Sequence, residues 1–230
     1  MSGTAQTIGV AGVDTAGIGA GGRFLTIEGI EGVGKSTQVA RIAAILRERG
    51  IAHVVTREPG GTPLAERIRE IVLNARDEPL PAGAELLLMF AARAVHLSNY
   101  VEPNLRAGRW VICDRFTDAT YAYQGGGRGL PVDDVRQLEA MVQGARRPDL
   151  TLLLDAPVAQ ALQRARQRNA HAATDRFESE RAEFFERVRD AYLKRAAAEP
   201  ERIAVLDAGQ SVDEVSARIL ALLKARSWIS

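Results

Sequence analysis

The clearest chemistry in this sequence lies in Gly29-Ile30-Glu31-Gly32-Val33-Gly34-Lys35-Ser36. A glycine, four residues and then Gly-Lys-Ser is the spacing of a loop that wraps a polyphosphate. Glycines let the backbone curl closely, so that successive N–H groups point at phosphate oxygens. The helix that must follow adds the positive end of its dipole. Lys35 would reach the outer phosphates, and the Ser36 hydroxyl a magnesium ion. A glycine-rich turn that binds nothing is the plainer alternative. The flanks argue against it: an apolar run, Phe24-Leu25-Thr26-Ile27, precedes the loop, and a helix-like Thr37–Arg49 follows it. A nucleotide is the expected ligand.

Other residues with chemical potential lie further along. Arg57-Glu58-Pro59-Gly60-Gly61-Thr62-Pro63 contains too much proline and glycine for regular structure and reads as a shaped loop. Asp114-Arg115 follows the apolar run Trp110-Val111-Ile112-Cys113. A carboxylate there suits Mg²⁺ or its water shell, and the arginine suits a phosphate, with a structural ion pair as the alternative. Arg93 falls beside an apolar helix face that holds Leu86, Met89 and Phe90, so it needs an anionic or polar partner. Arginines recur at 57–69 and again at 164–176, which implies two anionic ligands that meet.

The elements that must position these groups alternate strand and helix. Strands are expected at Phe24–Ile27, Ala52–Thr56, Trp110–Cys113, Leu150–Leu154 and Ile203–Leu206. Helical periodicity marks the segment after the phosphate loop, with Val39, Ile42, Ala43 and Leu46 inward. It also marks the segment from Leu64 to Val72, a long helix over Glu85–Leu105, and a helix opened by Ser211-Val212-Asp213-Glu214 as a capping box. Gln124–Gly129 reads as flexible and basic. An interruption at Asn169–Thr174 between charged helices reads as a mobile lid over about 164–176. Residues 1–22, rich in small residues, read as a disordered extension before a single domain over 23–230. Long crossovers between strands give a three-layer α/β sandwich around a five-stranded parallel sheet. Ligands bind such sheets at the carboxyl ends of the strands.

Composition narrows the class further. The chain has 230 residues, 46% apolar and 26% charged, with a net charge of +1. That balance gives no reason to expect nucleic-acid or membrane-surface binding. A single cysteine, Cys113, sits in an apolar run and fits a structural thiol in a reducing cytoplasm. No apolar stretch is long enough to span a bilayer. The Asn-Lys-x-Asp that reads guanine in GTPases is missing, and the third strand ends in Asp-Arg rather than the paired acids of motor ATPases. That ending points toward kinases acting on small phosphorylated acceptors.

Longer stretches resemble the bacterial thymidylate kinases. They are Ile27–Thr37, Thr56-Arg57-Glu58-Pro59-Gly60-Gly61-Thr62-Pro63-Leu64, Cys113-Asp114-Arg115-Phe116-Thr117, Ala122–Gly129 and Arg147-Pro148-Asp149-Leu150-Thr151. The resemblance runs in order over roughly residues 23–228 and implies the nucleoside monophosphate kinase fold with a phosphate loop. It implies transfer of the ATP γ-phosphate to dTMP with Mg²⁺, a step toward dTTP for DNA synthesis, by a cytoplasmic homodimer. It places Gly29, Ile30, Glu31, Gly32, Val33, Gly34, Lys35, Ser36 and Thr37 at ATP, and Ser36 and Asp114 at the metal, Asp114 through water. Arg115 and Arg69 would hold the dTMP phosphate, with Glu58 and Glu31 near the acceptor sugar. Arg93 would bond the thymine with Thr120 nearby, and Tyr123 would crowd the 2′ position. Pro59 and Gln124 complete the implied acceptor site.

Two positions depart from the family pattern. The ring-stacking phenylalanine is expected four residues before the thymine-binding arginine, where this chain has Met89, and Phe90 is one residue on. Either residue can take that contact. Some members carry a catalytic arginine in the phosphate loop, where this chain has Gly32. The resemblance then implies a lid arginine, with Arg168 leading and Arg164, Arg166 and Arg176 in reserve. A kinase of another nucleoside monophosphate or of a deoxynucleoside, and a non-catalytic ATP-binding dimer, are the rival readings.

Overall fold

A computed structural model of the chain describes residues 21–74, 78–168 and 182–230. The expected N-terminal extension lies outside these apart from residues 21 and 22, and the expected lid lies outside them beyond residue 168.

One parallel sheet is formed by β1 (Phe24–Glu28), β2 (His53–Arg57), β3 (Trp110–Asp114), β4 (Leu150–Asp155) and β5 (Ile203–Asp207). Its order is β2-β3-β1-β4-β5. Each strand runs one residue past the apolar run that marks it and ends on a charge: Glu28, Arg57, Asp114, Asp155 or Asp207. The backbone of that last residue still pairs in the sheet while its side chain has reached the carboxyl edge. The central strands β1, β3 and β4 are buried along almost their whole length, and the edge strands β2 and β5 are partly exposed.

Alternate residues serve opposite faces, as the strand period requires. Leu25, Ile27, Trp110 and Ile112 join a large core that also takes Val39, Ile42, Ala43 and Leu46 of α1 (Lys35–Glu48). Phe24, Val111 and Cys113 face the other way, against Leu97, Val101, Leu105 and Phe116. The remaining helices are α2 (Pro63–Asn74), α3 (Ala82–His96), α4 (Glu102–Arg106), α5 (Thr117–Thr120) and α6 (Val132–Gln143). They are followed by α7 (Val158–Arg168), α8 (Ala182–Ala198) and α9 (Val212–Ala225). The capping box of α9 is present: Glu214 N donates to Ser211 Oγ at 3.3 Å, and Ser211 N to Glu214 Oε2 at 2.9 Å.

Two wide π-helical turns depart from the sequence reading. Leu97–Val101 joins α3 to α4, so the long helix expected over Glu85–Leu105 is a rod with a reset in its hydrogen-bond ladder. Pro103 has no N–H to continue that ladder, and the reset places it in the first turn of α4, where none is needed. Tyr121–Gly127 continues α5 in the same way. The glycine-rich segment expected to be flexible is therefore mostly a buried helical turn. A Cβ at Gly126 would lie 2.5 Å from Ala191 Cβ and 2.9 Å from Arg187 O, so α8 presses directly on the turn. Glycine is there for close approach rather than for freedom.

Candidate active site

The phosphate loop leaves the carboxyl end of β1 and enters α1. Lys35 folds back over it, and Nζ donates to the carbonyls of Gly29 at 3.1 Å and Ile30 at 2.8 Å. Burial and the nearby Arg115 charge push its pKa down to about 8, against the pull of Asp114, Glu31 and Glu28. An ammonium held only by neutral carbonyls is ready to exchange them for phosphate oxygens, which carry full charge. Gly32 has φ 83, and a Cβ there would lie 1.9 Å from Ala161 O and 3.1 Å from Ala165 N. The backbone of α7 is thus seated on the loop, and no side chain fits at residue 32.

The opposite end of the site is a buried cluster of side chains. Glu58, in the loop after β2, accepts from Arg93 Nε at 2.7 Å with Oε2. Its Oε1 pairs with His96 Nδ1 at 2.9 Å, and His96 Nε2 meets Thr56 Oγ1 at 2.7 Å. Burial works against the Glu58 carboxylate, yet Arg93 and His96 outweigh it and hold the pKa below the usual carboxylate value. Arg93 is 1% exposed and its guanidinium lies between two rings, 4.8 Å from Phe90 and 5.1 Å from Phe116. Its Nη2 donates to Thr120 Oγ1 at 3.0 Å, while Nη1 is buried without a hydrogen-bond partner. A buried donor left over after this much positioning is available to a ligand acceptor.

Between the two ends lies the turn Asp114-Arg115-Phe116. Arg115 has φ 70, in the left-handed region that a branched or long side chain rarely occupies. Its guanidinium lies 4.6 Å over the Tyr123 ring and 3.7 Å from Glu31 Oε2. Asp114 Oδ1 is buried with no hydrogen-bond partner. Glu28 reaches beneath the turn, accepting from Phe116 N at 2.6 Å and from the Tyr192 hydroxyl at 2.7 Å. Burial first and Asp118 second push its pKa up to about 8, against the hydrogen bonds of Tyr192 and Phe116 and the charge of Arg115.

A single cavity of about 310 Å³ joins these parts. Of the expected residues it is lined by Glu31, Gly32, Gly34, Lys35, Ser36, Thr37, Glu58, Pro59, Arg69, Met89, Arg93, Asp114, Arg115, Tyr123 and Gln124. Ile30 and Val33 are instead packed in the core, where they anchor the loop, and Gly29 lies beneath it. Met89 reaches the cavity, whereas Phe90 packs with Leu86, Tyr121 and Val135 behind it. Thr120 stays off the cavity wall and acts on Arg93. Arg164 donates to Ala208 O at 2.8 Å and Arg166 is exposed, so neither lines the cavity. The Arg168 side chain and all of Arg176 lie outside the described residues.

Arg57, one of the arginines of the 57–69 set, also lines the cavity, while sequence reasoning missed Leu73, Phe116, Ala119 and Phe185 as lining residues and His96, Glu28 and Tyr192 behind them. Phe116 alone left a signal, as the aromatic directly after Asp114-Arg115.

A family model described as Thymidylate kinase matches residues 27–219. The chain belongs to the thymidylate kinase family. It is 58% identical over 202 residues to the thymidylate kinase of Ectopseudomonas mendocina, covering 88% of this chain and 95% of that one. It is also 58% identical over 210 residues to the thymidylate kinase of Chromohalobacter salexigens, covering 90% and 98%. The crystal structure of thymidylate kinase from Ehrlichia chaffeensis superposes with a TM-score of 0.70 at 32% identity, over 89% of this chain and 99% of that one. The kinase so placed has the phosphate-loop fold that its sequence implies.

Proposed function

We propose that the cavity holds ATP at the phosphate loop and dTMP against the Arg93 cluster, with the acceptor phosphate at Arg115. As a thymidylate kinase family member, the chain phosphorylates dTMP to dTDP. One observation supports the assignment of ends: the cationic loop and Arg93, whose buried Nη1 has no hydrogen-bond partner, line the same cavity. Phosphoryl transfer asks for positioning and neutralisation more than for covalent chemistry, and this cavity supplies both. Lys35 and the loop amides bind the donor phosphates. Arg115 and Arg69 bind the acceptor phosphate, and Arg69 Nη1 already donates to Pro59 O at 3.0 Å. Glu58 orients Arg93 toward the base, Met89 packs against the ring, and Tyr123 with Gln124 closes the sugar side.

Mg²⁺ takes few protein ligands when phosphates supply the rest. Ser36 and Asp114, whose buried Oδ1 has no hydrogen-bond partner, both line the cavity and would hold it, Asp114 through water. When bound, the ion neutralises phosphate charge. With α7 seated on Gly32, the loop offers no arginine at that position, which leaves Arg168 as the leading candidate for that role.

A homodimer is supported by exposed apolar side chains on three successively packed helices: Leu64 and Ile71 of α2, Leu87 of α3 and Met141 of α6. We place the reaction in the cytoplasm, in keeping with the buried free thiol of Cys113. No helix among the described residues is long and apolar enough to cross a membrane. The test is ADP release with dTMP, dUMP, dCMP, dGMP and AMP as acceptors. dTMP should give the highest kcat/KM. A different preferred acceptor overturns the assignment of the Arg93 cluster to thymine, and no acceptor-dependent release overturns catalysis.

A further inference from the structure

Glu28 has none of the roles assigned above, although it is fully buried at the centre of the site. No Lys or Arg among the described residues makes an ion pair with it. A buried carboxyl without a cation is expensive to keep, so its hydrogen bonds need an explanation. They converge on one place. Arg115 N donates to Ile27 O at 3.0 Å, continuing the β1–β3 ladder, and Phe116 N donates to Glu28 Oε1 at 2.6 Å. The amides on both sides of the left-handed residue are therefore pinned to the end of β1. Left-handed backbone at a non-glycine residue is strained and persists only where the surroundings impose it. The second carboxyl oxygen is held by Tyr192 of α8, whose ring packs 6.4 Å from that of Tyr123.

We propose that Glu28 is a positioning residue that fixes the Asp114-Arg115-Phe116 turn, so that Arg115 meets the acceptor phosphate and Phe116 floors Arg93. Tyr192 braces it. The proposal rests on the reading that Arg115 holds the acceptor phosphate. A glutamine at residue 28 can still accept from Phe116 N through its carbonyl oxygen and donate to the Tyr192 oxygen. An alanine can do neither.

The test is two-substrate kinetics on wild type, Glu28→Ala, Glu28→Gln, Tyr192→Phe and Arg115→Ala. Misplacing a binding group by about 1 Å can cost roughly 100-fold. Glu28→Ala should raise KM for dTMP roughly 10- to 100-fold and leave KM for ATP within about threefold, and Glu28→Gln should recover most of the loss. Tyr192→Phe should move KM for dTMP the same way by about threefold, and it decides the matter if Glu28→Ala does not fold. Equal shifts in both KM values, a lowered melting temperature with unchanged KM, or an unshifted Tyr192→Phe overturns the proposal. If Arg115→Ala leaves KM for dTMP unchanged, the reading of Arg115 fails instead, whatever Glu28 does.

Discussion

The two ends of the cavity are built from different materials. The end proposed for the donor is built mainly from backbone: loop amides, a glycine pressed against α7, and one lysine parked on the carbonyls of Gly29 and Ile30. The end proposed for the acceptor is built from side chains drawn from separate elements. Glu58, Arg93, His96, Thr56 and Thr120 interlock there, buried or nearly so, before any ligand arrives. Backbone recognises what every nucleoside triphosphate shares, whereas a fixed guanidinium can discriminate one base from another. On the proposed assignment, the donor end holds its cation on neutral carbonyls, and the acceptor end holds its own in an ion pair with Glu58.

This contrast can be broken in order of expected effect. Arg93→Ala should cost the most, about 3–5 kcal/mol in denaturant unfolding, because it leaves the Glu58 carboxylate buried without its cation. A small loss there would mean that the acceptor cluster is not preorganised. Lys35→Ala should lower kcat by roughly 10²–10³-fold with an unchanged unfolding midpoint, since its two hydrogen bonds are to neutral carbonyls. A collapse in stability comparable to that of Arg93→Ala would erase the distinction between the ends. Gly32→Ala should cost about 1–3 kcal/mol through overpacking against Ala161 and should reduce turnover by unseating α7.

The smallest effect is a proton count. The Lys35 pKa of about 8 should rise when phosphates surround the ammonium, so the bound state holds more protons than the free state. ATP binding at pH 8 should take up about half a proton, and much less at pH 6, where Lys35 is already charged. Calorimetry in two buffers of different ionisation enthalpy measures this. Proton release at pH 8 would contradict the assignment.

The same division explains what was legible in the sequence. Loop 29–36, the strands and the inward face of α1 are local patterns, and each is where periodicity and glycine spacing put it. Met89 and Phe90 could not be separated, because one helical step decides which faces the cavity and which faces Val135. The run Gln124–Gly129 looked flexible, because glycine in sequence signals freedom. Only the contact of Gly126 with α8 shows that it provides close approach instead. The bond between Glu28 and Tyr192, 164 positions apart, leaves no local pattern.

The most direct test is a crystal structure with dTMP and a non-hydrolysable ATP analogue. Lys35 Nζ should leave the Gly29 and Ile30 carbonyls for the donor phosphates, while Arg93 keeps its bonds to Glu58 and Thr120 and gives Nη1 to the base. A lysine still on its carbonyls, or an Arg93 that abandons Glu58 to bind, would contradict the account.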